Sequence, residues 1–219
     1  MRLLQPTGAA GVCVVVSNAA SRVCASLEPF LISTGLVAVA EIGDKTQLLA
    51  MMLAARFRKP VPIILGILVA TILNHAAAAG LGFVVASWLS GQAFQILVAV
   101  GFIAMGLWAL VPDKEDEGAA ARSAGGIFVT TLVAFFLVEI GDKTQIATTL
   151  LAARFQNLLL VTAGTTLGMM LANVPAVLLG EVATKIVPLK YVRIAAALVF
   201  VALGASVLVA AFLKPGFSF

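Results

Sequence analysis

The chain has 219 residues, 62% hydrophobic and only 11% charged, with a mean hydropathy of +1.12. A soluble domain carries about 25% charged residues, so this composition excludes a water-soluble globular protein and points to an all-α polytopic membrane protein packed against lipid. The net charge of +4 is no nucleic-acid signal, because the basic residues fall at the ends of apolar runs, and two cysteines with one histidine argue against a disulfide framework or a zinc site.

Residues 1–28 form an N-terminal segment. Arg2 precedes a modest apolar run over 9–16, and small residues follow at Ala19, Ala20 and Ala25. This reads equally as a weak signal peptide, a poorly formed extra helix, or a disordered tail behind an upstream start. Six transmembrane helices are predicted after it. The first three, over 29–57, 61–89 and 93–111, make a first repeat spanning 29–111. An acidic linker follows over 112–125, with Asp113, Glu115, Asp116 and Glu117. Three more helices, over 126–155, 158–187 and 191–213, make a second repeat spanning 126–214.

The repeat rests on one heptapeptide. Glu41 to Gln47 read Glu-Ile-Gly-Asp-Lys-Thr-Gln, and Glu139 to Gln145 read the same 98 positions later. From there the two copies share 12 of 17 residues, ending in Leu-Ala-Ala-Arg-Phe at Phe57 and Phe155. Gly66 with Gly164, Gly82 with Gly180 and Gly106 with Gly204 keep the same offset. Three helices per repeat is an odd number, so the second copy enters the bilayer from the opposite face. The expected fold is two inverted three-helix repeats about a pseudo-two-fold axis in the membrane plane. Outside the motifs, Arg56, Arg58, Lys59, Lys114, Arg122, Lys185, Lys190 and Arg193 fall on one side, and Arg2, Arg22, Arg154 and Lys214 on the other. The positive-inside rule makes the eight-charge side cytosolic and puts both termini outside the cytosol.

Each motif lies inside an apolar stretch of about 25 residues, enough helix to cross a bilayer core. An ionisable group at that depth costs at least about 2.5 kcal/mol on the insertion scale. On a helix, Glu41 and Asp44 share a face at i,i+3, as do Glu139 and Asp142, and Lys45 and Lys143 follow their glutamates at i+4. Gly43 and Gly141 let a neighbouring backbone approach, or let the helix loosen and present carbonyls. The four carboxylates are the candidate metal ligands. Thr46, Gln47, Thr144 and Gln145 offer neutral oxygens beside them, and Lys45 and Lys143 bring the charge to −2. Asn74 and Asn173 read as helix–helix hydrogen-bonding residues or as neighbours of the site, and His75 as a packing residue or a proton carrier. An oxygen-only donor set suits hard divalent cations such as Ca²⁺ and Mn²⁺ rather than copper or zinc. Without metal, protons would occupy the site, and that competition is the minimum an exchanger needs.

The motif E-x-G-D-[KR]-[ST], present twice, resembles that of the transmembrane protein 165 family over roughly residues 29–213. The resemblance implies a secondary transporter, not an enzyme, that moves Mn²⁺ or Ca²⁺ out of the cytosol against protons. Ligand roles then fall on Glu41, Asp44, Glu139 and Asp142, and motif membership on Lys45, Thr46, Lys143 and Thr144. A bacterial inner membrane is the expected location. The partners are divalent cations, protons and the lipid bilayer, with no nucleic acid and no resident cofactor, the metal being cargo. Two repeats in one chain make a monomer sufficient and leave a dimer open. Two other readings compete: an exporter of another cationic solute, and an intramembrane aspartyl protease, whose G-x-G-D signature has Glu41 or Glu139 in place of its first glycine.

Overall fold

The structure, a computed structural model, describes residues 27–89, 91–111, 125–179 and 189–213, all of them helical or in the connections between helices. Expectations for the N-terminal segment before residue 27, for nearly all of the acidic linker, and for Gly180 and Lys185 lie outside the described residues.

The helices are α1 (27–41), α2 (Lys45–Phe57), α3 (Pro60–Trp88), α4 (Gln92–Ala109), α5 (Ile127–Glu139), α6 (Lys143–Phe155), α7 (Leu158–Leu179) and α8 (Leu189–Leu213). Four of them are long and apolar enough to cross a bilayer: α3, α4, α7 and α8. The first and fourth expected helices are each broken in two at the motif, into α1 with α2 and α5 with α6. At 13 residues, α2, α5 and α6 each fall short of the roughly 20 residues that a bilayer core demands, and only a pair placed end to end spans it.

Inside α3 many of the inward positions are small and many of the lipid-facing ones large. Gly66, Ala70, Ala78, Ala79, Gly82 and Ala86 are buried, while Val61, Leu65, Leu73 and Leu81 are exposed. This inverts the soluble pattern, because lipid is as apolar as leucine and close backbone approach is what holds membrane helices together. Trp88, 84% exposed, closes α3 and Tyr191 opens α8, the places where amphipathic rings settle at a membrane–water boundary.

Glycine contacts reveal the symmetry. A methyl group placed on Gly66 would lie 2.8 Å from Thr131 Cβ and 2.9 Å from Phe128 O, and one on Gly164 would lie 3.0 Å from Ser33 Cβ and 2.5 Å from Phe30 O. Subtracting the repeat offset of 98 from the first pair of partners yields the second pair. In the same way Gly106 meets Ala197 O and Val201, and Gly204 meets Ala99 O and Ile103. Such reciprocal contacts are the mark of a two-fold relation. The sense of the helices shows that the repeats are inverted. Contacts between α4 and α8 run in opposite directions, from Gln92 with Ala211 through Ala99 with Gly204 to Gly106 with Ala197. The corresponding third helices are therefore antiparallel.

Each broken helix turns back into the next through a matching connection. The residues that end α2 and α6, Arg58 and Gln156, are left-handed (φ 52° and 47°), and their N–H groups return to Ala54 O and Ala152 O. α3 then runs beside α5 and α6 of the other repeat, from Gly66 at Phe128 to Gly82 at Thr149. Two apolar clusters fill the interior. One gathers Leu49 and Leu53 of α2, Ile63 and Ile67 of α3, and Phe135 of α5. The other gathers Leu36 of α1, Ala147 and Leu151 of α6, Phe102 of α4 and Phe200 of α8. The half-helices divide between these clusters, and both breaks fall where the division is made.

Candidate metal centre at the helix breaks

Glu41 is the last residue of α1 and Asp44 caps the start of α2. Between them the chain turns, with the Asp44 N–H donating to Glu41 O at 3.1 Å; the Asp142 N–H repeats the bond to Glu139 O at 3.0 Å. Gly43 and Gly141 stand at φ 80° and 76°, left-handed values that other residues adopt only at a cost. Of the two roles open to these glycines, loosening the helix is the one the structure displays.

The break changes three expectations. Glu41 and Asp44 do not share one helix face; they flank a turn, and so do Glu139 and Asp142. Gln47 and Gln145 were expected as neutral ligands, but their Oε1 atoms accept the N–H groups of Gly43 and Gly141 at 2.8 and 2.7 Å. They satisfy backbone donors that the break orphans, and Gln47 also donates to Ala172 O. The lysines also reach beyond their i+4 glutamates. Lys45 crosses to the other repeat and pairs with Asp142 Oδ1 at 3.1 Å. Lys143 donates to Val111 O at 2.7 Å and lies 5.9 Å from the Trp108 ring centre.

One oxygen from each of Glu41, Asp44 and Asp142 falls within 4.8 Å of the others, and all three side chains are buried. Oxygens on opposite sides of an ion bound at about 2.4 Å would stand about 4.8 Å apart, so the spacing fits one hard cation. Asp44 and Asp142 occupy the N-termini of α2 and α6, where the helix dipole favours negative charge. Thr46 donates to Glu41 Oε2 at 2.6 Å and Thr144 approaches Asp142 Oδ2 at 3.3 Å. Glu41 Oε1 has no hydrogen-bond partner among the described residues. A buried acceptor in that condition carries a desolvation cost that a cation removes. Three carboxylates and Lys45 sum to −2, the charge that one divalent ion neutralises.

Glu139, the fourth expected ligand, is not among the three that cluster. It accepts from Asn74 Nδ2 at 2.8 Å and from Thr71 Oγ1 at 2.9 Å, both on α3. Asn74 thus touches a motif carboxylate. Asn173 instead donates within its own helix, to Met169 O. His75 is buried, and neither ring nitrogen has a hydrogen-bond partner among the described residues. Thr71 was not singled out from the sequence; its signal is a place one turn before Asn74 on the same helix face. A cleft reaches Asp44 from between α4 and α8, lined by Gly43, Asp44, Met105, Ala109, Lys143 and Arg193 among others. Of these, Ala109 lies at the end of α4 and Arg193 near the start of α8.

Comparison with known proteins brings a family to this geometry. The family model described as divalent cation/proton antiporter GDT1 matches residues 29–117 and again 127–215. A candidate manganese exporter of Vibrio cholerae is 53% identical over 163 residues, covering 74% of this chain and 81% of that protein. A GDT1-like protein of Synechocystis is 30% identical over 167 residues, 67% of this chain and 80% of its own. GDT1-like protein 4 of Oryza sativa subsp. indica is 29% identical over 167 residues, 64% of this chain and 59% of its own. No solved structure matches the chain.

Proposed function

The chain belongs to the divalent cation/proton antiporter GDT1 family, an integral membrane transporter by its apolar helices and its relatives, and on that premise we propose that it exports Mn²⁺ or Ca²⁺ from the cytosol in exchange for protons. One observation carries this reading: three buried carboxylate oxygens, drawn from both repeats, meet within 4.8 Å where the helices break. The −2 left by Glu41, Asp44, Asp142 and Lys45 is relieved by one divalent cation or by two protons, so the same groups bind one or the other. Access from one side at a time then lets each occupancy license the switch between sides. The name of the Vibrio relative favours Mn²⁺ as cargo, and its source favours a bacterial inner membrane.

Purified protein in liposomes, loaded with a pH-sensitive dye, tests the exchange. Mn²⁺ or Ca²⁺ uptake should accelerate with an opposing proton gradient and move protons the other way. Apparent affinity should fall as pH falls, because metal-binding carboxylates must be deprotonated. Metal flux without proton counterflow, at an affinity flat between about pH 6 and pH 8, would leave a channel.

Orientation follows from the eight-to-four division of basic residues. Single cysteines placed at Ser123 and Phe219 should be labelled from opposite faces, the first only after permeabilisation. Labelling of both from one face would contradict termini outside the cytosol.

A further inference from the structure

The two motifs are identical in sequence, yet their glutamates sit in different surroundings. Both oxygens of Glu139 are taken by neutral donors on α3, Oε1 by Thr71 Oγ1 and Oε2 by Asn74 Nδ2. At the matching places on α7, 98 positions on, stand Met169 and Ala172, which have no side-chain donor for a carboxylate. Glu41 accepts from Thr46 through Oε2, and its Oε1 has no hydrogen-bond partner among the described residues. Burial of Glu139 is thus compensated without an ion, whereas burial of Glu41 stays costly until a cation arrives. The donors are encoded on α3 alone. A conformational change that exchanges the positions of the two repeats therefore cannot exchange the roles of the two glutamates.

Resting on the metal-transport reading above, we propose that Thr71 and Asn74 are positioning residues that hold Glu139 off the ion, so that the metal is bound by Glu41, Asp44 and Asp142. The consequence is a limit on ligand charge. Three carboxylates with Lys45 match a divalent ion, whereas a fourth would leave the loaded site negative and hold the ion more tightly, and affinity in oxygen sites rises with the number of charged ligands. A carrier must release its cargo, and the α3 donors keep the site weak enough to do so.

The test is equilibrium Mn²⁺ titration of the purified full chain in lipid nanodiscs at neutral pH, with bound Mn²⁺ read by its electron paramagnetic resonance signal. Glu41→Gln should weaken binding about tenfold or more, and Glu139→Gln by less than about threefold. Thr71→Met combined with Asn74→Ala copies the α7 residues onto α3 and frees Glu139. It should tighten binding about tenfold, and adding Glu139→Gln should reverse that gain. A merely structural role for Thr71 and Asn74 predicts no tightening. The converse pair, Met169→Thr with Ala172→Asn, builds donors opposite Glu41 and should weaken binding about tenfold, which keeps the proposal falsifiable if the first pair does not fold. Equal losses from Glu41→Gln and Glu139→Gln would overturn this proposal alone. No binding of Mn²⁺ or Ca²⁺ by the unaltered chain would overturn the metal reading and this proposal with it.

Discussion

Asp142→Asn should abolish Mn²⁺ and Ca²⁺ uptake by the reconstituted protein while the chain still inserts and folds. Asp142 does two things at once: it supplies one of the three clustered oxygens, and it is the partner of Lys45 at 3.1 Å. The asparagine keeps the shape and removes the charge. The site falls from −2 to −1, too little for a divalent ion, and Lys45 is left beside it with its ion-pair partner neutralised. Removing one partner of a buried pair costs about 3–5 kcal/mol, and this pair, with Lys45 20% exposed, belongs at or below the low end of that range. Uptake should therefore drop below detection with a modest loss of thermal stability. Substituting Lys45→Met alongside should restore stability but not uptake, since the ligand is still missing. Uptake at the unaltered rate in Asp142→Asn would show that the carboxylate is not a ligand. The checks are a flux assay and a thermal melt on the same preparation.

Gly141→Ala, and likewise Gly43→Ala, should stop transport through the backbone alone. A methyl group on Gly141 would meet nothing within 4 Å, so no clash is involved. The penalty comes from φ 76°, where an L-residue loses about 1–2 kcal/mol. The chain escapes that strain by continuing the helix, which draws Glu139 and Asp142 toward the i,i+3 face of an unbroken helix. That carries Asp142 away from Glu41 and Asp44 and removes the N–H contact of Gln145. Gly126→Ala is the control: it too has open space around it, but its φ of −64° is ordinary, and it should leave uptake unchanged. Equal activity in Gly141→Ala and Gly126→Ala would mean that the break is not needed for transport.

Much of the site was legible in the chain because the motif is duplicated at one offset. Glu41, Asp44 and Asp142 were named as candidate ligands and do meet, and Gly66 and Gly106, which keep the repeat offset with Gly164 and Gly204, pack against Phe128 and Ala197. Other features could not be read for a physical reason. The letters Glu-x-Gly-Asp describe a continuous helix face and a helix break equally well, and Gly43 permits both. Gln47 and Gln145 look like ligands until the break orphans an N–H four residues back. Lys45 has a favourable partner in Glu41 on paper, and nothing local foretells the ion pair it makes with Asp142 of the other repeat.

Periodicity, composition and the repeat offset are properties of the chain itself. They determined that this protein is helical and membrane-embedded, that it is built from two related halves, and that four carboxylates of the repeated motif are the candidates for its chemistry. An odd number of crossings per repeat then forces inversion. Which of the four carboxylates gather is not a property of the motifs, whose sequences are the same. That was decided by α3, which brings Thr71 and Asn74 to Glu139, while the residues 98 positions on, Met169 and Ala172 of α7, have no side-chain donor to offer. A hydrogen bond between residues 65 or 68 positions apart leaves no local pattern, so only the packed structure could separate one glutamate from the other.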